Sequence, residues 1–193
     1  MLVAALTLAS CTGEEDIRLP DYEPLVFGED FTVTADLEDT PVTIPGWENI
    51  AETGSVKWIY GYYSSNYYAE FTSYQSGEPS NIGWLVTKPV NMDAQDNEKM
   101  LFQVCQAYVD NAANTFQVLY TTDYTGDVAT STWTNLALNN PPLMGYDYRF
   151  VYFNQEIDLS QIEGANVRFA FKVVGNTTSL DGTYQMDNLR IVN

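Results

Sequence analysis

The residues of this chain that could do chemistry are mostly rings and carboxylates. Half of the fourteen residues in WIYGYYSSNYYAEF (58–71) are aromatic: Trp58, Tyr60, Tyr62, Tyr63, Tyr67, Tyr68 and Phe71. Exposed rings can stack on the apolar faces of sugars, and Tyr and Trp are preferred interface residues. Tyr62 and Tyr63 fall in GYYSSN, which reads as a loop, so they are the first ligand-binding candidates, with Tyr67 beside them. Tyr146, in MGYDYRF next to Tyr148, is a second. The plain alternative is tyrosine decoration of a sheet edge, since single exposed rings are normal. Tyr67 and Tyr68 take opposite faces if 67–74 is a strand, so those two cannot form one platform.

Other chemistries are excluded or weak. Histidine is absent, which removes Ser-His-Asp and Cys-His nucleophiles and the usual zinc sites. EIDLSQ (156–161) nearly reproduces the E-x-D-x-x-E signature of jelly-roll β-glucan hydrolases. Its last position is Gln161, which can neither donate nor take the proton that a two-carboxylate mechanism moves. Cys105, in LFQVCQAYV, has no basic neighbour to activate it and reads as a small buried hydrophobe. The acidic stretches 92–98 and 123–127 lack EF-hand spacing and read as solvated turns.

Charge and the N-terminal segment suggest an address. The chain has 193 residues and a formal net charge of -18, from 26 acidic and 8 basic residues. No basic stripe exists for nucleic acid or for anionic lipid headgroups. MLVAALTLASC (1–11) is too short and too small to span a bilayer. It resembles a bacterial lipoprotein signal whose lipobox cysteine, Cys11, is acylated. The expected membrane contact is that lipid anchor alone. TGEEDIRLPDYEPL follows, acidic and with two prolines, and residues 12–25 read as a tether. Glu14, Glu15 and Asp16 resemble the acidic export signal of surface lipoproteins in the Bacteroidota, which implies an outer-membrane, cell-surface location.

These residues must be positioned by strands. From Val26 onward the apolar segments are short, rich in Val, Tyr, Phe, Thr and Ile, and closed by Gly, Pro, Asn or Asp. Strands are expected near 26–33, 55–60, 67–74, 83–87, 99–109, 115–122, 148–153, 166–174 and 183–192, with a short turn of helix at 158–164. Without helices to carry parallel crossovers, residues 26–193 form one antiparallel β-sandwich, a jelly roll. In NVRFAFKVV, Val167, Phe169, Phe171 and Val173 share one face. In the last strand, simple alternation puts Asp187 on one face with Leu189 and Ile191. A carboxylate there needs a partner or an ion.

Four segments then line up in order: GWLVTKPVNM (83–92), FQVLYTTDYTGDVATSTWTNL (116–136), FNQEIDLSQIEGANVRFAFKVVG (153–175) and TYQMDNLRIV (183–192). Together with EDF and GWENI they resemble the choice-of-anchor J domains and related MAM-like jelly rolls of Bacteroidota surface lipoproteins. The resemblance implies a two-sheet jelly roll and no single activity. It implies packed positions for Trp47, Trp58 and Trp84. It also implies a structural calcium ion joining the chain ends, held here by Glu29, Asp30 and Asp187 with backbone carbonyls completing the shell. Two readings follow, the first ranked ahead: a non-catalytic module binding extracellular polysaccharide, or a structural adhesion protein contacting a surface protein. A glycosidase ranks well behind.

Overall fold

Alternation along short strands decides which side of a sheet each side chain takes. A computed structural model describes residues 23–139, 143 and 153–193. Cys11, most of the tether and Tyr146 lie outside the described residues, as does most of the strand expected at 148–153. Among the described residues there is no helix. The strands are β1 (Leu25–Glu29), β2 (Glu48–Thr53), β3 (Ile59–Tyr63), β4 (Asn66–Thr72), β5 (Asn81–Val86) and β6 (Lys99–Ala107), followed by β7 (Thr115–Thr121), β8 (Thr134–Leu136), β9 (Phe153–Asp158), β10 (Arg168–Gly175) and β11 (Thr183–Val192). One sheet runs β3-β4-β11-β6-β9, with β1 also paired to β11; the other runs β2-β5-β10-β7-β8. Successive strands repeatedly switch sheets, and all strand pairs are antiparallel, which is the jelly-roll sandwich expected.

Between the sheets lies an aromatic core. Phe116 stacks on Phe171 and on Tyr184, and Phe102 meets Phe171 edge-on. Phe71 crosses from β4 to lie on Gly83 of β5, where a Cβ would come within 2.0 Å of its ring. Phe169, Phe171 and Val173 face inward, as the alternation requires. Arg168, Ala170 and Lys172 face outward, but not into bulk water. A second apolar cluster covers that outer face: Trp84, Val86, Leu119 and Ala170 pack with Tyr124, Val128 and Trp133. Of DYTGD only Tyr124 is drawn into that cluster; the other four residues are exposed, as a solvated turn requires. Asp123 accepts bonds from Thr121 Oγ1 (2.6 Å) and Thr132 N (2.9 Å), closing a lid over the sheet.

The aromatic stretch contains no long loop. β3 and β4 form a hairpin closed by Ser64 and Ser65. Both have positive φ, 51° and 66°, the conformation of a type I′ turn. That turn suits the twist of the strands but favours Asn-Gly, because a Cβ at positive φ is strained. Replacing Ser64-Ser65 by Asn-Gly is expected to stabilise the protein by about 1 kcal/mol. Urea unfolding with an unchanged m-value would read this as a higher midpoint; a lower midpoint would contradict the turn assignment.

Candidate functional site

The hairpin divides the predicted rings between two faces. Gly61 pairs with Tyr68 and Tyr63 with Asn66, so these four share the outer face. The Tyr68 ring lies over Gly61, where any Cβ would come within 2.1 Å of it. Tyr62 and Tyr67 pair on the opposite face, with ring centroids 4.6 Å apart, and Tyr67 meets buried Tyr60 edge-on. Tyr67 also donates its hydroxyl to Ala35 O (3.3 Å). The expected set of Tyr62, Tyr63 and Tyr67 is thus not one platform. Tyr63, 77% exposed, is on the outer face, which it shares with the buried ring of Tyr68.

That face carries an ordered polar row. On β11 the residues Asp187, Asn188 and Arg190 span three steps while their partners on β6, Gln103 and Leu101, span two. One residue is extra, and Asn188 takes it up with φ of 53°, a conformation that Asn tolerates. The bulge shifts the alternation by one. Tyr184, Met186, Leu189 and Ile191 all enter the core, and Asp187 does not sit among them. The odd carboxylate of the sequence is explained: it turns outward with Gln185 and Arg190.

Asp187 is then tied across the sheet. Asn66 Nδ2 donates to its Oδ2 (2.8 Å) and Asn188 N to its Oδ1 (2.6 Å). Asn188 Nδ2 donates to Gln103 Oε1 (3.0 Å), and Gln103 Nε2 donates to Asn154 Oδ1 (3.1 Å). Asp187 on β11, Gln103 on β6 and Asn154 on β9 are register neighbours, as are Tyr63 on β3 and Asn66 on β4, and the diagonal Asn66–Asp187 bond joins the two sets into one row across five strands. Four strand spacings make it about 19 Å long.

Next to the amide end of this row is an open cleft of about 760 Å³. Its walls include Leu25, Gly28, Glu29, Asp30, Leu101, Gln103, Asn154, Glu156, Asn188 and Arg190. Gly28, Arg190, Leu101 and Glu156 are register neighbours on β1, β11, β6 and β9 and make a second row beside the first. Leu101 gives it an apolar floor between two charges. The volume falls in the range of small-molecule sites. Tyr63 stands outside the cleft, at the far end of the amide row.

The carboxylates expected to hold calcium are engaged elsewhere. Glu29 Oε1 accepts from Phe31 N (2.8 Å), Asp30 Oδ1 from Thr32 N (3.0 Å), and both oxygens of Asp187 are taken as described above. Among the described residues no group of three or more His, Cys, Asp or Glu side chains is arranged to hold a metal ion. Burial pushes the carboxyls of Asp187, Glu29 and Glu70 above their ordinary range, although each accepts at least one hydrogen bond. Glu70 receives Gln185 Nε2 (2.7 Å). Behind it, fully buried Cys105 has its thiol pushed up to about 12 by burial and by the Glu70 charge, which leaves it unreactive.

These raised carboxyls carry a pH signature. A folded-state pKa above the unfolded one means that the folded protein holds its proton more tightly. The stabilisation is full below the unfolded value, about 3.9 for Asp, and is lost as pH rises through the folded value. The urea midpoint is therefore expected to be higher at pH 5 than at pH 7.5. Asp187→Asn keeps an acceptor for Asn188 N and can exchange a bond with the Asn66 amide, so it should weaken this dependence. A midpoint that falls on acidification from pH 7.5 to 5 would contradict it.

No protein-family model matches the chain, and no curated protein matches it at a significant level. Solved structures do resemble it. The fold is shared with adhesin domains. The K1 cleaved adhesin domain of Lys-gingipain from Porphyromonas gingivalis aligns with a TM-score of 0.54 at 17% identity, over 86% of this chain and 96% of that one. The K2 cleaved adhesin domain of Lys-gingipain aligns with a TM-score of 0.56 at 11% identity, over the same shares. A candidate sugar binding protein from Bacteroides thetaiotaomicron aligns with a TM-score of 0.52 at 6% identity, over 88% of this chain and all of that one. At such identities the likeness concerns the β-sandwich, and function must be argued from the site.

The sequence reading missed Gln103, Asn154, Asn188, Leu101, Glu156 and Arg190. The signal was present in KMLFQVCQ: Met100, Phe102 and Val104 alternate with Lys99, Leu101 and Gln103, so the strand declares an outer face.

Proposed function

We propose that the chain is a non-catalytic glycan-binding module, and that acylated Cys11 anchors it at the outer surface of the cell. The observation that carries the binding reading is the transverse row. Side chains with paired donors and acceptors line a cleft floored by Leu101, and a single exposed ring, Tyr63, ends the row. Amides answer vicinal hydroxyls, which donate and accept at once, and a ring or a Leu answers the apolar face of a pyranose. The shared fold with adhesin domains and with a candidate sugar binding protein supports the reading by analogy. The motifs that resemble choice-of-anchor J domains imply the sandwich and no single activity. The anchor rests on the lipobox-like segment alone.

Catalysis has little support. Asp158, the central carboxylate of EIDLSQ, accepts from Ser160 N (2.9 Å), and the bonds from Ser160 hold its carboxyl below the usual range, the reverse of a general acid. A protein-binding adhesin would show a contiguous apolar patch. Among the described residues the large exposed hydrophobics are Leu25, Tyr62, Tyr63, Tyr74 and Leu143, and Tyr62 and Tyr63 lie on opposite faces.

Affinity gels loaded with plant and host polysaccharides test the proposal. Retardation by at least one of them is expected, with no release of reducing sugar. Tyr63→Ala should weaken that retardation about tenfold, the value of one stacked ring at about 1–1.5 kcal/mol. Cells carrying Cys11→Ser should lose capture of the labelled polysaccharide. Absence of retardation across the panel would overturn the glycan reading.

A further inference from the structure

The charges of the cleft narrow the ligand class. Glu29, Asp30 and Glu156 line it against one cation, Arg190. Arg190 has no ion pair among the described residues, and it is separated from Glu156 only by Leu101 in the register. Arg190 offsets only one of the three acids, which leaves the lining with net negative charge. The whole chain adds a formal -18 around it.

The amide relay points the same way. Gln103 spends its Oε1 on Asn188 and its Nε2 on Asn154. What remains for a ligand is the Asn188 Oδ1 acceptor at one end, the Asn154 Nδ2 donors at the other, and between them the second N–H of Asn188 and of Gln103. Acceptor and donors lie side by side, which matches neighbouring hydroxyls. A carboxylate needs donors converging on it without like charge beside them, and here three carboxylates line the same cleft against one Arg.

We infer that the site takes an uncharged polyhydroxylated chain lying across the strands, and rejects uronic-acid polysaccharides through Asp30 and Glu156 in particular. This rests on the glycan reading above and names its substrate class. Asp30 and Glu156 are the most exposed of the three acids, so their charge acts on a ligand without a folding cost when removed.

The test uses the purified protein against a neutral panel (mannan, xylan, mixed-linkage glucan) and polygalacturonate, at low and at moderate salt. Wild type is expected to bind a neutral chain with little salt dependence and to bind polygalacturonate at least about tenfold more weakly. That repulsion should shrink once the Debye length falls to about 8 Å near 0.15 M salt. The double variant Asp30→Asn/Glu156→Gln, which preserves shape and the Asp30 acceptor for Thr32 N, should gain about tenfold for polygalacturonate at low salt. Polygalacturonate binding by wild type as tight as any neutral chain overturns this inference and leaves the glycan reading standing. So does a double variant that gains nothing, because the repulsion would then come from the whole molecule and not from the cleft. Failure to bind any glycan overturns the underlying reading and this inference with it.

Discussion

Gln103→Ala is expected to lower affinity for the best neutral polysaccharide by about 10- to 100-fold while leaving the thermal midpoint nearly unchanged. Gln103 is the one side chain that bonds to both flanking amides, Asn188 and Asn154. Its removal frees both to rotate and to take up water, so a ligand must order them again on binding. Losing positioned hydrogen bonds costs about 1–3 kcal/mol, which converts to that fold-change. The folded state loses little, because the row lies on an outer face and surface substitutions fall within about 0.5 kcal/mol. Gln103→Glu makes the argument sharper. Glutamate keeps an acceptor for Asn188 Nδ2 but cannot donate to Asn154 Oδ1, and it adds a charge to an acidic cleft. It should bind as poorly as the alanine variant, although its shape is retained. Isothermal titration of both variants decides this. Affinity retained in both would move the ligand away from the amide row.

How much of this was legible in the sequence depended on whether a local pattern carried the information. Strands β4 to β7, β10 and β11 announce themselves through β-branched and aromatic runs, and their faces follow from alternation. β2, ENIAET, does not, because Glu48 and Glu52 look like loop residues. Their partners are distant: Glu48 pairs with Arg168 (3.4 Å) and Glu52 with Lys172 (3.7 Å), across a sheet whose order cannot be read from spacing. The hairpin was hidden for a related reason. Ser-Ser is a poor type I′ pair, so the sequence around Tyr62 and Tyr63 looked like a loop, and both rings seemed free to face one ligand. The bulge hid the site itself. Strict alternation put Asp187 with Leu189 and Ile191; one extra residue reverses that, and two consecutive polar residues, Asp187-Asn188, were its only trace. Transverse rows are assembled by register between five strands, which is non-local by nature.

The outer face of the second sheet carries the other large effect. Trp84→Ala is expected to destabilise the protein by about 3–5 kcal/mol, the range for deleting a buried large aromatic. Trp84 is only 3% exposed, although it points away from the inter-sheet core. Three groups enclose it. Trp133 from the lid lies 5.2 Å away between centroids, Lys172 Nζ sits 4.5 Å above the ring, and the indole Nε1 donates to Glu52 Oε2 (2.6 Å). A parallel unit repeats beside it: Arg168 lies 4.7 Å over Tyr124, whose hydroxyl donates to Glu48 Oε2 (2.8 Å). In each unit a carboxylate on β2 holds both a cation on β10 and a polar aromatic donor, so the ring helps to fix the ion pair. Alanine removes the packing, the cation–π contact and the lid's seat together. Trp84→Phe keeps an aromatic face for Lys172 and Trp133 and loses mainly the bond to Glu52, so about 1–2 kcal/mol is expected from it. Urea unfolding measures both. If the face were ordinary solvated surface, the two substitutions would differ little, and neither would shift the midpoint by more than a surface change does. A large gap between them would establish that the lid and the sheet share a second core.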